Sequence, residues 1–457
     1  MIQEDTISAI STVIGEAGIG IVRMSGERAI EIADKIFQSI DGKKLIDIKV
    51  KNMKVGKILD SNGDIIDEAI VLVMRSPRSY TKEDVVELQC HGSTAVLKKV
   101  LLRTFEEGAR LAERGEFTKR AFLNGRLNLS QAQAVLDIIQ AKTDTALKMA
   151  EDKLSGKLSG QIYELKQQIL NIITHIEAII DFPEEGIEDI SIEKIENDIL
   201  TAIKNTNNIL ETETKGKILR NGIETAIIGK PNVGKSSLLN FLLKEDKAIV
   251  TDIPGTTRDI IEEYINIEGI PLKIIDTAGI HNSSDKIEKI GIEKTKLYLE
   301  KSPLILTLFD GSRKLDDEDE EIIELIKNKN TIILITKADL PQLTDINSIK
   351  TKCNQSEVIS ISIKKELGID ELYKIISKKI NDISSEIDFC KNARELEILN
   401  RIKIHLDEAR KTIKFTSDID LISIDLRAAL QAIDELTGES IDEDIINEIF
   451  SKFCVGK

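Results

Sequence analysis

Near the middle of the chain stands Ile227-Ile228-Gly229-Lys230-Pro231-Asn232-Val233-Gly234-Lys235-Ser236-Ser237, an apolar segment that runs into a glycine-rich loop. Its spacing, Gly-x-x-x-x-Gly-Lys-Ser, is typical of a loop that binds phosphate. The glycines let backbone N–H groups turn toward phosphate oxygens, Lys235 reaches the β- and γ-phosphates, and Ser236 offers a hydroxyl to Mg²⁺. Glu224–Ile228 before the loop predicts a strand and Ser237–Lys244 after it predicts a helix, whose N-terminus favours anions. This context predicts a nucleotide-binding α/β domain.

Four further segments have the order and spacing of a guanine-nucleotide domain. Thr251–Asp259 resembles a first switch segment, in which Thr257 would complete the Mg²⁺ shell. Asp276–Gly279 follows an apolar strand candidate and has the form D-x-x-G, which brings a carboxylate near Mg²⁺ and a glycine N–H to the γ-phosphate. Thr336–Asp339 is a version of N-K-x-D, whose aspartate accepts the N–H groups of guanine, and Ser362–Lys364 resembles the loop that covers the base. Together these motifs predict a GTPase domain.

Two positions depart from that pattern. Thr336 stands where asparagine is usual, although the lysine and aspartate of the motif keep the part that rejects adenine. Ile280 stands where Ras-like proteins have the glutamine that orients the attacking water, and an apolar side chain cannot do this. His281 and Glu288 are the nearby candidates, and from the residues alone each is one polar surface group among many.

Composition sets outer limits on the kind of protein. A chain of 457 residues has room for about two to four domains with ample core. It has no long apolar run and no basic leader at Met1, so we expect a cytoplasmic protein without a membrane segment. The cysteines Cys90, Cys353, Cys390 and Cys454 form no C-x-x-C pair, which indicates neither a disulfide framework nor a zinc site. We predict that Cys90 is a core residue and that His91 lies in a turn.

The net charge of −16 argues against a general nucleic-acid binder, yet it leaves room for a local basic patch. The acidic run Asp316–Glu321 is predicted to be the solvated start of a helix. One candidate basic patch combines Lys98, Lys99, Arg103, Arg110, Arg114, Lys119, Arg120 and Arg126.

Periodicity divides the chain into four parts. Residues 1–120 alternate strand and helix patterns, including predicted helices over Glu27–Ile40 and Thr94–Glu107. Residues 121–217 are helical, with a long helix or a broken pair over 128–180 and another helix from Ile192 that ends at Gly216. Strand–helix alternation fills residues 218–382, and amphipathic helices return over 383–457. An α/β unit that interrupts a helical region is an inserted domain, so its two ends should lie close together.

Several stretches together resemble the family of tRNA modification GTPases called MnmE or TrmE, over nearly the whole chain. The N-terminal signatures include Ser79–Gly92 and Gly115–Leu127, and the GTPase signatures are Gly229–Ser237 and Gly255–Asp259. The most specific match is the terminal Phe453-Cys454-Val455-Gly456-Lys457, which is similar to the family's F-C-I-G-K. Asn128 and Gln133 depart from the family, which usually has acidic residues at these positions.

The resemblance implies a multidomain fold of mixed α/β and all-α parts. It consists of an N-terminal α+β domain that binds tetrahydrofolate and dimerises, and a helical domain interrupted by a Ras-like P-loop GTPase domain. It also implies that GTP hydrolysis accompanies addition of a carboxymethylaminomethyl or aminomethyl group to carbon 5 of uridine 34, the wobble base of certain tRNAs. The expected partners are tRNA, a second copy of the chain, and a MnmG (GidA) protein that carries FAD and NADH in a heterotetramer.

The resemblance further implies site residues. Asn232 together with Thr251, Ile253 and Thr256 would hold K⁺, on which pairing of the GTPase domains depends, and Glu288 would orient water. Arg23, Glu87, Arg126 and Lys457 would bind 5-formyl- or methylene-tetrahydrofolate, because Arg and Lys pair with the glutamate tail and a carboxylate accepts pterin N–H groups. The positions assigned by motif or by resemblance to nucleotide, metal or folate are Asn232, Val233, Gly234, Lys235, Ser236, Ser237, Thr251, Asp252, Ile253, Pro254, Gly255, Thr256, Thr257, Asp276, Thr277, Ala278, Gly279, Thr336, Lys337, Ala338, Asp339, Ser362, Ile363, Lys364, Arg23, Glu87, Arg126 and Lys457, and those assigned to catalysis are Glu288, Lys235 and Cys454.

Two alternatives stay open. Cys454 is a catalytic thiol, a buried structural residue or, least in keeping with its Gly and Lys neighbours, part of a prenylation box. Between burial and prenylation of Cys454, the sequence favours burial. The whole protein could instead be a non-enzymatic switch of the Era/Der type, which shares the loop and G-T-T-R-D segments. Such a switch would carry a terminal RNA-binding domain in place of the folate-type N-terminal region and the Cys454 tail.

Overall fold

The computed structural model describes residues 5–48, 52–181, 192–244, 248–249, 263–275, 302–353, 356–386, 394–415, 419–440 and 443–457. The N-terminal part is a seven-stranded, mostly antiparallel sheet. Its strands are β1 (Ile7–Ile10), β2 (Ala17–Ser25), β3 (Phe37–Ser39), β4 (Asn52–Leu59), β5 (Ile65–Met74), β6 (Val85–Gly92) and β7 (Arg110–Leu111), in the spatial order β3-β4-β5-β6-β2-β1-β7. Apolar residues of the sheet pack against helices α1 (Ala29–Ile36) and α2 (Thr94–Glu106) to form one core.

The helical part is built from two distant stretches of the chain. The first contributes α3 (Glu116–Leu123), α4 (Leu129–Gln140), α5 (Asp144–Leu154), α6 (Lys157–Asp181) and α7 (Ile192–Asn221). The second, after the inserted unit, contributes α12 (Arg394–Phe415), α13 (Ile419–Thr437) and α14 (Glu443–Ser451). Isoleucines and leucines three and four apart on α6, α7, α12 and α13 interdigitate in a single core, as amphipathic helices require.

The inserted unit is a doubly wound α/β sheet. Its strands are β8 (Ile223–Gly229), β9 (Ala248–Ile249), β10 (Glu263–Ile267), β11 (Ile270–Ile275), β12 (Leu304–Asp310), β13 (Thr331–Thr336) and β14 (Glu357–Ser360), in the order β14-β13-β12-β8-β11-β10-β9. The five strands from β14 to β11 are parallel. Helices α8 (Lys235–Lys244) and α11 (Ile369–Glu386) cover one face, and α9 (Asp317–Ile326) and α10 (Ile346–Lys352) cover the other. Strands buried on both faces read as continuous apolar runs, as β12 and β13 do.

The two ends of the insertion meet, as predicted. The ammonium of Lys153 on α5 lies 3.3 Å from the carboxylate of Glu213 on α7, which leads into β8, and 2.7 Å from that of Glu395 at the start of α12. Arg220, one residue before the end of α7, is paired at 3.0 Å with Asp137 on α4. The inserted unit is therefore fastened at its base by ion pairs that involve the buried Lys153 and the half-buried Arg220.

Three helix predictions need correction. The helix expected over Glu27–Ile40 ends at Ile36, because Phe37–Ser39 pairs with β4 as a strand. The stretch 128–180 is three helices, α4 to α6, rather than one helix or a pair. Helix α7 does not end at Gly216 but continues to Asn221, and Gly222, at φ +73°, is the residue that stops it.

The two predicted charge clusters are also different in the structure. Arg103 and Arg120 are 9% and 7% exposed, and Arg120 is paired with Asp5, Glu83 and Glu116, so these two arginines do not belong to an open cationic patch. Exposed members of the predicted patch are Lys98, Lys99, Arg114 and Arg126. The acidic run does start a helix, α9, but Asp319 is buried rather than solvated. Within the described ranges, no helix is long and apolar enough to cross a membrane.

Candidate functional site

The phosphate-type loop lies at the carboxyl end of β8, at the centre of its sheet. Gly229 and Gly234 have φ of +152° and +105°, and a Cβ on Gly229 would lie 2.6 Å from the carbonyl oxygen of Leu308, so glycine is required there. Asn232 also has a positive φ, +62°, and is exposed. Val233 is buried under the loop, whereas Ser236 and Ser237 lie exposed in the first turn of α8. The loop thus presents backbone N–H groups and two hydroxyls at a helix N-terminus, a geometry suited to phosphate.

Lys235 is the partly buried cation of this loop. Its ammonium donates to the carbonyl oxygens of Gly229 at 2.5 Å and Lys230 at 2.7 Å. Burial lowers the pKa of Lys235, since the charged form is less well solvated there. Phosphate oxygens would offset that loss of solvation, so the lysine is suited to bind an anion.

The segment predicted to recognise the base, Thr336–Asp339, lies next to the phosphate-type loop. The carboxylate of Asp339 accepts from the Ser362 hydroxyl at 2.6 Å, and this bond lowers the pKa of Asp339. The backbone N–H of Ala338 donates to the carbonyl of Ile361 at 3.0 Å. The two base loops predicted from sequence are thereby joined, and Ile363 and Lys364 follow directly with intermediate and exposed side chains.

Thr336 and Lys337 connect that segment to the phosphate loop. The hydroxyl of Thr336 lies 2.7 Å from the carbonyl oxygen of Val233 and 3.1 Å from that of Phe309. Lys337 has φ +57°, and its ammonium is paired at 2.5 Å with Asp310 at the end of β12. A threonine can therefore fasten the base motif to the phosphate loop in place of asparagine.

Lys230, inside the phosphate loop, forms ion pairs with the acidic run that the sequence did not predict. Its ammonium lies 2.6 Å from Asp316 and 2.7 Å from Glu318. Asp316 also caps α9 through a reciprocal bond with Asp319. The acidic run therefore stabilises the phosphate loop through its ion pairs with Lys230. Only the fold, which brings the two segments together, reveals this role.

Several predicted positions lie outside the described residues. They are the first switch segment with Thr251, Asp252, Ile253, Pro254, Gly255, Thr256 and Thr257, the D-x-x-G segment with Asp276, Thr277, Ala278 and Gly279, and the water-orienting candidates His281 and Glu288. Their assignments stay predictions.

A second cluster forms where the C-terminal tail meets the N-terminal sheet. Arg23 on β2 and Glu87 on β6 are cross-strand partners joined by an ion pair of 2.8 Å, and Arg23 also donates to the carbonyl of Gly456 at 3.3 Å. The tail is fixed by backbone bonds from Gly115 to Cys454 and from Phe117 to Lys457, each 3.2 Å. The structure thus brings together residues more than 400 positions apart.

Tyr80 completes this tail cluster and was not predicted. The guanidinium of Arg126 lies 4.6 Å from its ring centroid and donates to its carbonyl at 2.7 Å, and the guanidinium of Arg23 lies 5.9 Å from the same ring. Its hydroxyl is 3.0 Å from that of Thr118. The signal available in the sequence was an aromatic within the Ser79–Gly92 signature. The Tyr80 ring is thus within cation–π distance of both arginines.

Two titratable residues of the tail differ in environment. Burial, and then the charge of Arg23, lower the pKa of Lys457. Cys454 is exposed, which contradicts the expectation that it is buried; the neighbouring Phe453 is the residue that enters the core, at 1% exposed. Exposure leaves the thiol accessible to reagents and substrates.

Cys90 and His91 lie on the same strand. Cys90 is buried as predicted, and burial raises the pKa of its thiol to about 12. His91 is in strand β6 rather than in a turn, and its Nδ1 lies 2.8 Å from Asp67. Neither residue points to a metal site.

Two comparisons with known proteins agree with each other. The family model described as MnmE helical domain matches residues 129–454, and the model described as GTP-binding protein TrmE N-terminus matches residues 6–126. The tRNA modification GTPase MnmE of Thermoanaerobacter pseudethanolicus is 47% identical over 457 residues, with 99% of each chain covered. That of Alkaliphilus metalliredigens is 44% identical over 462 residues, with 100% of each covered.

Among solved structures, the G domain of the T. maritima FeoB iron transporter aligns with a TM-score of 0.26 and 24% identity, over 35% of this chain and 98% of its own.

Proposed function

The chain belongs to the MnmE family of tRNA modification GTPases and is a GTPase, and from this premise we propose the reaction that its GTP hydrolysis serves. That reaction is addition of a carboxymethylaminomethyl or aminomethyl group to carbon 5 of the wobble uridine, position 34, in certain tRNAs. The single observation that carries the proposal is the tail cluster, which gathers Arg23, Glu87, Arg126, Lys457 and an exposed thiol at one place. A switch that only gates assembly has no need of such a cluster.

The tail cluster supports a tetrahydrofolate derivative as the carbon donor. Arg23 and Lys457 supply positive charge for a carboxylate tail, Glu87 supplies acceptors for ring N–H groups, and Tyr80 supplies an aromatic face. When bound, the folate would supply the one-carbon unit. Cys454, at the same tail, is proposed to take part in the chemistry, and FAD and NADH are assigned to a MnmG-type partner.

The nucleotide site fits GTP with Mg²⁺. Lys235 and the N–H groups between Gly229 and Ser237 would hold the phosphates, Asp339 would accept the guanine N–H groups, and Ser236 with Thr257 would hold the metal. Asn232, which the left-handed backbone presents at the exposed rim, would hold K⁺ together with Thr251, Ile253 and Thr256. Positive charge there would stabilise the charge that develops on the phosphates.

We further propose the assembly and the organisation of the chain. The protein acts in the cytoplasm as a homodimer whose GTPase domains pair in a K⁺-dependent manner, and it joins MnmG in a heterotetramer that acts on tRNA. The domains extend over 1–120, 121–217, 218–382 and 383–457. The boundary near 217 is supported by the end of α7 at Asn221, because Gly222 then separates this helix from the first strand of the inserted unit, β8.

Nucleoside mass spectrometry of total tRNA tests the reaction. Cells that lack the protein are compared with the same cells carrying a plasmid copy. We expect the 5-substituted wobble uridines to vanish and to return with the copy. Unchanged uridines together with accumulated immature ribosomal subunits would instead identify a switch of the Era/Der type.

Glu288 is the proposed water-orienting residue. We expect Glu288→Ala to leave the Kd for GTP unchanged and to lower kcat by about 100-fold, since positioned acid–base groups contribute on that order. Glu324→Ala is the matched control, because Glu324 is an exposed glutamate on α9 of the same unit. Equal turnover in the two variants would remove Glu288 from the mechanism.

A further inference from the structure

Guanine offers two kinds of edge to a protein. Its N1–H and N2–H groups are donors, and its O6 and N7 are acceptors. The carboxylate of Asp339 can only accept when ionised, so it serves the donors. The acceptor N7 requires a donor, and the side chains of the base motif with N–H or O–H groups are those of Thr336 and Lys337.

The donor of Thr336 is committed to the protein. A hydroxyl has one O–H, and among the described residues its hydrogen-bond partners are the carbonyl oxygens of Val233 and Phe309, at 2.7 and 3.1 Å. Both are acceptors only, so the proton must be directed to one of them. Thr336 is also 2% exposed, and its short side chain, unlike that of asparagine, has no second donor group that could extend to a ligand.

The cation of Lys337 is likewise engaged. Its ammonium is held at 2.5 Å by the carboxylate of Asp310, which also accepts from the N–H and hydroxyl of Ser312 at 3.0 and 2.7 Å. Asp310 is 8% exposed and sits at the end of β12. The ammonium is therefore fixed on the strand beside the base segment.

An asparagine at position 336 would behave differently. Its amide has two N–H groups, so one could bind the Val233 carbonyl and the other would remain for the base. We propose that Thr336 makes this GTPase recognise guanine without a side-chain contact to N7, so that it accepts guanine nucleotides altered at N7. The inference rests on the GTPase activity and is independent of the tRNA chemistry.

The decisive measurement is the ratio of Kd values for GTP and 7-deaza-GTP on the full chain, obtained by competition against a fluorescent GDP. We expect the two nucleotides to bind within about 2-fold of each other. Inosine triphosphate, which lacks the N2 amino group, should bind about 10-fold more weakly, because Asp339 then loses one donor. A loss of 5-fold or more for 7-deaza-GTP would overturn the proposal.

Variants at position 336 sharpen the comparison. Thr336→Asn should create a preference for GTP over 7-deaza-GTP of about 5-fold, the value of one neutral hydrogen bond. Thr336→Val removes the hydroxyl at similar shape, so both nucleotides should weaken equally, since the Val233 carbonyl loses its donor. A change of the ratio in Thr336→Val would mean that the hydroxyl contacts N7 and would overturn the proposal.

Thr336→Ser is the control that keeps the donor. It should retain the wild-type ratio. If Thr336→Asn fails to fold, the ratios of wild type, Ser and Val variants still decide the question.

Discussion

A carboxyl group that is an unusually weak acid lies where the inserted unit joins the helices. Glu213 shares the ammonium of Lys153 with Glu395, so two carboxylates meet one cation. Burial, reinforced by the charge of Glu395, raises the pKa of Glu213 to about 7. Lys153 lowers the pKa of Glu395 although burial opposes this, so Glu395 carries the charge of the pair. The protonated form of Glu213 is the one the fold prefers.

This arrangement predicts a pH dependence of stability. Because the folded pKa of Glu213 lies above the ordinary value near 4.5, the folded state holds a proton that the unfolded state has released. The contribution of Glu213 to the free energy of unfolding should therefore be greatest below about pH 4.5 and should fall as the pH rises to about 7. Glu213→Gln removes the ionisation, so it should raise the melting temperature at pH 8 and leave it nearly unchanged at pH 5.

Asp152→Asn is the matched control for Glu213→Gln. Asp152 lines the same cavity of about 250 Å³ but keeps 43% of its side chain exposed. Its substitution should alter the melting temperature little at either pH. A Glu213→Gln variant with the same pH profile as the wild type would show that Glu213 is ionised in the folded protein.

At the residue scale, motifs indicated the candidate nucleotide-site residues, but their contacts needed the fold. The spacing of Gly229, Gly234 and Lys235 predicted the phosphate loop, because that spacing follows from local backbone geometry. Nothing local predicted that Lys230 binds Asp316 or that Tyr80 contacts both Arg23 and Arg126, because these contacts join separate elements. The predicted burial of Cys454 was wrong for the same reason.

Helix α4 is the element that contacts both the C-terminal tail and the end of α7. It starts three residues after Arg126, contacts Phe450 and Phe453 through the cluster that includes Ala132, and is joined to α7 through Asp137. Asn128 begins it with a capping box, in which its side chain accepts from the N–H of Gln131 and the Gln131 side chain accepts from its N–H. The amide of Asn128 also donates to Ser159 at 2.8 Å.

The capping box predicts the outcome of two substitutions. Asn128→Ala should lower the free energy of unfolding by about 1 kcal/mol, the usual cost of losing an N-cap. Asn128→Asp keeps the acceptor, adds a favourable charge at the helix N-terminus and can accept from the Ser159 hydroxyl, so it should retain most of the stability. Chemical denaturation of both variants checks this, and equal losses would show that the side-chain acceptor at the cap does not stabilise the helix.

The other wrong predictions concern where helices begin and end. Periodicity found the helical content of 128–180 but not the two breaks, since Thr143 caps α5 and Gly156, at φ +89°, reverses the chain before α6. Gly216 was taken as a stop, yet a glycine inside a helix costs only about 1 kcal/mol. A Cβ at this position would lie 3.4 Å from the methyl group of Met149, an ordinary contact, and Gly216 has no left-handed backbone conformation. The helix can therefore continue through Gly216 to Asn221.

At the scale of the whole molecule, the tail fastens the end of the helical part to the N-terminal sheet. Phe453 packs 5.3 Å from Phe450 between ring centroids, and a bridge joins Arg114 to Val455. Phe453→Ala should destabilise by about 3 to 5 kcal/mol, as large buried aromatics do, and should speed hydrogen exchange at the N–H of Phe117, which is bonded to Lys457.

Val455→Ala serves as the control for that substitution, because Val455 is 45% exposed in the same tail. It should leave exchange at Phe117 slow. Slow exchange in both variants would mean that the Phe117 N–H is protected without the tail.

The insertion of one domain into another was the feature of the whole molecule that sequence could predict. A helical pattern that stops and resumes around a strand–helix alternation admits few other arrangements. The seven-stranded order of the N-terminal sheet, with the parallel pair β1 and β7 at one edge, had no such signal, because strand pairing depends on contacts far apart in sequence.

Helix α7 gives the molecule a lever. Its 30 residues span about 45 Å, and it continues through Gly222 into β8, the strand that carries the phosphate loop. A rotation of about 5° at that joint displaces the far end by roughly 4 Å, an amplification that comes from length alone. Because α7 packs along α6 and α12, the helical bundle moves with α7. A small rotation of the nucleotide domain at Gly222 therefore becomes a larger displacement at the far end of the bundle.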